Sequence, residues 1–377
     1  MSRGKAFVQL QTDTNVASVV NLDAGSVLAT LHPFNGGGSS FENPVIDSTN
    51  TYAYISGAYA LELAATWQVN VATNSLTGVD TTGQAHYGGG RATCISNGDT
   101  YLYCGFGGYV EKYALPSLTW VANIASFVTQ PMTSATTDPT RSLLYFGCEG
   151  DSSNAGVIQS FNTSSQTFAI IYTAAQTATQ IVVGSVSGNL LFFTEADYLH
   201  PASKIVHALD LTTHTVAWSV TCTENVTSRP ICNNAGTFLY VGNSGSAVTT
   251  IDVGSHTVIH TTPVTSGAGV YGLAVTQDDS AVAFTIASDF GVVPYLYQLN
   301  TSTYLISSVT LGHGPGLLCT TRGTVITRNA AAASTATFTA VAVANVGAVA
   351  GTSTTTFRTT AVATVTSGLT NSIVMIV

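Results

Sequence analysis

Charge is what this sequence has least of. Only 8% of its 377 residues are Asp, Glu, Lys or Arg, against roughly a quarter in ordinary soluble domains. Ten bases against 19 acids leave a net charge of −9, and no Lys/Arg cluster occurs that could neutralise a phosphate backbone, so nucleic acid is excluded as a partner. Long apolar runs are missing too. The stretches without charge, such as 329–357, are threaded with Thr, Ser, Asn and Gly and never supply the ~20 apolar residues of a membrane helix. No membrane insertion is expected. An apolar segment with a small-residue cleavage site is likewise absent from the N-terminus, where Met1-Ser2-Arg3-Gly4 runs into KAFVQLQ, so no signal peptide is expected.

Cysteine is sparse and unpatterned. Cys94, Cys104, Cys148, Cys222, Cys232 and Cys319 stand far apart with neither CxxC nor Cys/His metal spacing. Buried free thiols and no metal are the expectation, with a disulfide across one hairpin between Cys94 and Cys104 left open. The glycine runs Gly36-Gly37-Gly38 and Gly88-Gly89-Gly90 are followed by no Lys and open no helix, so they are read as surface loops and not phosphate cradles. Asp151-Ser152-Ser153-Asn154 and Glu195-Ala196-Asp197 offer oxygen atoms to a Ca²⁺ ion but match no calcium-loop spacing. No cofactor is expected.

What is present is a repeat. GTFLYVGNSGSAVTTIDVGSHTVIHTTPV, from Gly236 to Val264, reads as three antiparallel strands broken at Asn243-Ser244-Gly245 and turned at Asp252–His256. Its leading run recurs at 5–12, 51–58, 101–108, 143–150, 190–197, 238–245 and 281–288. The spacing of about 43 to 50 residues is the size of a four-stranded propeller blade. A strand-turn-strand unit follows each run, with Asp, Asn, Gly, Ser or Pro at most turns, where local side-chain hydrogen bonds or positive φ are wanted. Six runs are preceded by a short strand: NPVIDST, RATCISN, PMTSATT, TQIVVGS, SRPICNN and YGLAVTQ. The first run lacks one, and GPGLLCTT (314–321) can supply it. The fold class expected is all-β: a seven-bladed β-propeller over 1–323, closed by N- and C-terminal strands of one blade, with a small β-rich extension over 324–377. That extension carries only Arg328 and Arg358 as charges and ends in the apolar Ser372–Val377.

The segments FLYVG…TTIDVGSHTVIHTTPV, SRPICNNAG, GVYGLAVTQDDSAVAFT and GHGPGLLCTTRG make residues 5–321 resemble the YVTN-type β-propeller repeats of surface-layer and other extracellular proteins. More distantly the chain is similar to lactonase and quinoprotein propellers. The extension is faintly similar to Ig-like modules of phage structural proteins. The resemblance implies a fold, and propellers of one fold host unrelated functions.

Propeller topology gathers the loops leading into each inner strand, and those between second and third strands, on one face around the channel mouth. The residues expected there to bind a ligand are Glu42, His86, Arg91, Glu195, Asp197, Arg229, Tyr271, Asp289 and His313, with Glu149, Asp151 and the aromatic residues Tyr59, Phe106, Tyr109, Tyr198 and Phe290 among them. No catalytic residue is assigned. The expectation is a non-enzymatic structural or attachment protein on the exterior of a virion or extracellular assembly, meeting a receptor or glycan by this face and other structural subunits by residues 324–377. Aromatic rings stack on sugars while carboxylates take their hydroxyls. Two alternatives stand beside it. A lactonase-like or dehydrogenase-like enzyme would use His86, His313 and Glu42 as acid/base groups or metal ligands with Arg91 and Arg229 on an anionic substrate; the other alternative is a cell-surface adhesion module.

Overall fold

The computed structural model describes residues 2–12, 15–32, 44–59, 63–80, 92–197, 203–264, 269–286, 295–311, 315–322, 360–364 and 372–376. By contact the chain divides into two compact units, Met1–Ala330 and Ala331–Val377. Among the described residues no helix is long and apolar enough to cross a membrane.

Strands dominate the first unit because its apolar residues run in short β-branched and aromatic stretches bounded by Asx and Ser/Thr turns. Blade 1 holds β1 (Lys5–Thr12), β2 (Asn15–Asn21) and β3 (Ser26–Leu31). Blade 2 comprises β4 (Val45–Ile46), β5 (Tyr52–Tyr59), β6 (Leu63–Asn70) and β7 (Ser75–Asp80). Blade 3 has β8 (Ala92–Ile95), β9 (Tyr101–Gly105), β10 (Tyr109–Ala114) and β11 (Thr119–Ala125). In blade 4 come β12 (Met132–Thr137), β13 (Leu143–Cys148), β14 (Ala155–Asn162) and β15 (Thr167–Thr177). Blade 5 is β16 (Thr179–Ser187), β17 (Leu190–Asp197), β18 (Ile205–Asp210) and β19 (Thr215–Thr221). Blade 6 contains β20 (Ile231–Cys232), β21 (Phe238–Asn243), β22 (Ala247–Asp252) and β23 (Thr257–Pro263). Blade 7 follows with β24 (Val270–Val275), β25 (Ala281–Ile286), β26 (Tyr295–Asn300) and β27 (Ile306–Thr310), after which β28 (Pro315–Thr320) returns to blade 1.

All seven sheets are four-stranded and antiparallel. The seam is the expected one: β28 pairs with β1 through Ala6↔Thr320, Phe7↔Cys319 and Val8↔Leu318. Inner strands β4, β8, β12, β16, β20, β24 and β28 contact one another in a closed cycle. The fold is a seven-bladed propeller. In the second unit β29 (Thr360–Thr364) and β30 (Ser372–Ile376) form an antiparallel pair.

Because each blade is covered on both sides, its second strand is apolar on both faces, and successive residues feed different cores. Phe7 packs toward blade 2 with Ile46, Ile55 and Trp67, while Ala6 and Val8 pack toward blade 7 with Ala283, Leu296 and Val309. Equivalent clusters fill the other five gaps between blades. The glycine ending the FLYVG-type run lets the next inner strand come close. A Cβ on Gly147 would stand 2.4 Å from the Ile181 carbonyl of β16, and one on Gly242 the same distance from Val270 of β24. Hydroxyls then stitch the blades together: Thr133 donates to Ile181 O (2.8 Å), Thr227 to Val270 O (2.6 Å) and Thr285 to Gly316 O (2.6 Å).

Every third-to-fourth-strand turn follows one six-residue template. An Asx residue opens six of the seven, its Oδ1 accepting backbone N–H groups two and three residues on, as at Asn21, Asn70, Asn162, Asp210 and Asn300; at Asp252 it accepts the Ser255 N–H at 2.7 Å. The fifth position is left-handed in all seven: Gly25, Asn74, Leu118, Gln166, His214, His256 and Tyr304 have φ between 51° and 61°. Three residues into the fourth strand, the ladder slips by one at Leu28, Thr77, Val121, Ala217 and Ile259, and slightly later at Ile171. These bulges blunt the free outer edges.

None of the six cysteines is in a disulfide. Cys94 pairs in register with Tyr103 and Cys104 with Thr93, so the two side chains leave β8 and β9 on opposite faces and enter different cores. That geometry rules out a bridge between them.

Candidate functional site

The loops that lead into inner strands, and those joining second to third strands, lie on one face of the ring. Of the residues assigned there from sequence, Glu42, His86, Arg91, Asp289 and His313 lie outside the described residues, as do Tyr198 and Phe290. Asp197 ends β17 opposite Thr179. Glu195, Arg229 and Tyr271 are described fully, and the structure does not bring these three together.

Glu195 lies on β17, half-buried between blades 4 and 5. Its carboxylate accepts the Tyr172 hydroxyl of β15 at 2.5 Å. Burial raises the Tyr172 phenol, and the carboxylate adds to the shift. On the neighbouring strand His207 stacks on Phe193 at 5.0 Å, and its Nδ1 lies 2.8 Å from Ser219 Oγ. Burial lowers the His207 pKa, with the Glu195 charge opposing. Serine, imidazole and carboxylate are therefore neighbours, but the carboxylate already holds a tyrosine and the group sits on the flank of the blade.

Tyr271 on β24 is 38% exposed. Asp151 is exposed in the β13–β14 loop and folds back on itself: Oδ1 accepts from Ser153 N, Asn154 N and Asn154 Nδ2 at 2.8 to 2.9 Å, and these bonds hold its carboxyl below the usual range. Its oxygens already have donors, which disfavours the Ca²⁺ reading of this loop. Among the described residues no group of three metal-ligating side chains converges. Burial also pushes the thiols up, Cys148 and Cys222 to about 11 and Cys319 to about 12, so they are poor nucleophiles at neutral pH.

Two features escaped the sequence. The first is Phe127, between β11 and β12, which is 75% exposed on the loop face. Its neighbour Val128 is buried and Ser126 is tied down, its N–H to Gly108 O at 2.8 Å and its hydroxyl to Gln159 Oε1 at 2.8 Å. The loop is anchored on both sides of a ring turned to solvent. Phe106, expected on this surface, is instead buried and stacked on Tyr109 at 5.3 Å. Adjacent apolar residues in Phe127-Val128 gave no signal of which would face out.

The second is the depth to which Arg229, expected at the mouth, enters the axial channel, together with Arg322 in the same wall. Arg229 precedes β20, but its side chain runs into the channel, where Nη2 donates to Ala135 O of β12 at 3.0 Å. Burial pushes its pKa down to about 10. A cavity of about 380 Å³ and a second of about 260 Å³ share Val45, Ser185, Arg229, Asn234 and Arg322 in their walls.

No protein-family model matches the chain, and no curated protein matches it. Solved structures do match in shape. Hydrazine synthase from Kuenenia stuttgartiensis superposes with a TM-score of 0.61 at 16% identity, covering 75% of this chain and 90% of that one. A functionally unknown protein from Desulfotomaculum acetoxidans gives 0.62 at 12% identity over 85% and 99%. Dihydro-heme d1 dehydrogenase NirN, in complex with DHE, gives 0.58 at 8% identity over 84% and 74%. At such identities the likeness shows shared architecture, and the chain is a seven-bladed β-propeller by fold alone.

Proposed function

We propose that this chain is a non-enzymatic structural or attachment protein of a virion exterior or comparable extracellular assembly, a YVTN-type propeller that meets a receptor or glycan by its loop face. Residues 324–377, read as an Ig-like docking segment, join it to neighbouring structural subunits. The observation that carries the reading is Phe127: a large ring at 75% exposure, held out by a loop whose adjoining residues are fixed. An aromatic presented at little further entropic cost is what sugar or protein recognition uses. Tyr271, exposed near the start of β24, adds a second ring. Support also comes from a fold built on hydroxyl and Asx hydrogen bonds.

The test is a glycan array and whole-cell binding with the full chain, comparing wild type with Phe127→Ala and with Trp120→Ala, an exposed aromatic on the outer strand β11. Binding is expected to weaken about tenfold or more in Phe127→Ala, the scale of an aromatic anchor, and to survive in Trp120→Ala. Equal binding by wild type and Phe127→Ala, or no binding to either array or cells, removes the proposal.

A further inference from the structure

We infer that the axial channel is a binding site for a small oxyanion, phosphate or carboxylate, held between the guanidinium groups of Arg229 and Arg322. This goes beyond the receptor reading and uses a different part of the ring.

Three observations lead there. Arg229 and Arg322 both line both cavities, so two cations face these neighbouring spaces of about 380 and 260 Å³. Arg229 is poorly satisfied. Of its five N–H donors one is spent on Ala135 O, and Nε is shielded from solvent with no partner. Among the described residues the ionisable group acting on its charge is the Cys94 thiol, and no carboxylate pairs with it. A guanidinium does not give up its proton to escape burial, so the structure carries a cation that needs a counter-charge.

Arg322 differs in degree. Asp99 and Asp47 act on it from a distance and support its charge. Asp99 is itself committed to Ser48, whose N–H it accepts at 2.9 Å. The backbone of Arg322 is fixed to Asn50 in both directions, N to Oδ1 at 2.7 Å and O from Nδ2 at 3.0 Å. Its side chain is thus delivered to the channel from a rigid base. Around the two arginines the wall supplies hydroxyls with a proton to give: Ser185 Oγ accepts Cys232 N at 3.0 Å and Ser96 Oγ accepts Tyr101 N at 3.0 Å. The rest of the wall is mixed: Thr93, Thr137, Asn234 and the Asp99 carboxylate stand beside the apolar Val45, Cys94, Ile231 and Cys232. Two planar guanidinium forks facing the same cavities favour carboxylate or phosphate over neutral ligands.

Thermal unfolding of the full chain tests this. Inorganic phosphate and malonate are titrated in separate arms, each against sodium chloride at matched ionic strength. Wild type is expected to show a saturable rise in Tm of several degrees in at least one arm, beyond the chloride control, and the arm that responds identifies the source. Arg229→Met should lose that rise and, without added anion, melt no lower than wild type, because a neutral side chain relieves the unpaired charge. Arg322→Gln should weaken the apparent affinity about tenfold. Phe127→Ala should respond as wild type does, which separates this site from the loop face. Should Arg229→Met fail to fold, Arg229→Lys keeps the charge and loses the fork, and its midpoint should move to about tenfold higher anion. The inference is overturned if neither anion exceeds the chloride control in wild type, or if the Arg229 variants respond as wild type does.

Discussion

A left-handed residue without glycine is uncommon, yet six of the seven outer turns place one at the fifth position of the template. Gln166, at φ 55°, bears the clash of its Cβ with the backbone for want of a glycine there. Gln166→Gly is expected to raise stability by about 1 kcal/mol, the left-handed cost less the added freedom of the unfolded chain. Asn300→Ala should lower it by about 1 kcal/mol, since Ser302 N and Thr303 N lose an acceptor at 2.9 Å. Urea midpoints at unchanged slope measure both. The Asx residue at the head of the template was legible in the sequence. The left-handed position was not, because Gln, His, Leu and Tyr announce no positive φ.

His207 gives a second residue-scale expectation. Burial holds its folded pKa below the usual value near 6.5, so the unfolded chain takes up the proton first. Its contribution is complete above about pH 6.5 and is lost as the pH falls through the lowered folded value. Glu195, which opposes the shift, and Tyr172 on that carboxylate are the ionisable neighbours. The Tm of wild type should therefore fall more steeply between neutral and mildly acidic pH than that of His207→Gln. Parallel curves for the two proteins would contradict this account.

Among the elements, the second strand of each blade was the easiest to read and the inner strand the hardest to place in depth. Runs such as LLYFG and FLYVG announce strands buried on both faces, and the structure has them as β13 and β21. Their closing glycine is explained only by the neighbouring blade. Gly147→Val should cost about 3 kcal/mol or more, because the obstacle is the Ile181 carbonyl at 2.4 Å from the new Cβ. Gly254→Ala, whose Cβ would meet the Asp252 carboxylate at an ordinary 3.4 Å, should stay within about 0.5 kcal/mol. Arg229 shows the limit in the other direction. Its place before an inner strand was readable, but whether its side chain rises to the rim or drops into the channel depends on seven strands converging at once.

For the whole molecule, closure governs stability. Phe7 is fully buried beside Ile46, Ile55 and Trp67 in the gap between the first and second blades, so Phe7→Ala should cost about 3–5 kcal/mol in denaturant titration. The seam was predictable because the first repeat lacks an inner strand and GPGLLCTT has no other blade to join. The same seam has a temporal side. A ribosome adding about 5–20 residues each second needs on the order of fifteen seconds to a minute to travel from β1 to its partner some 310 residues later. Throughout that interval Lys5–Thr12 presents an open inner edge rich in apolar side chains. The yield of closed ring in a cell should therefore depend on how fast translation delivers the last strand.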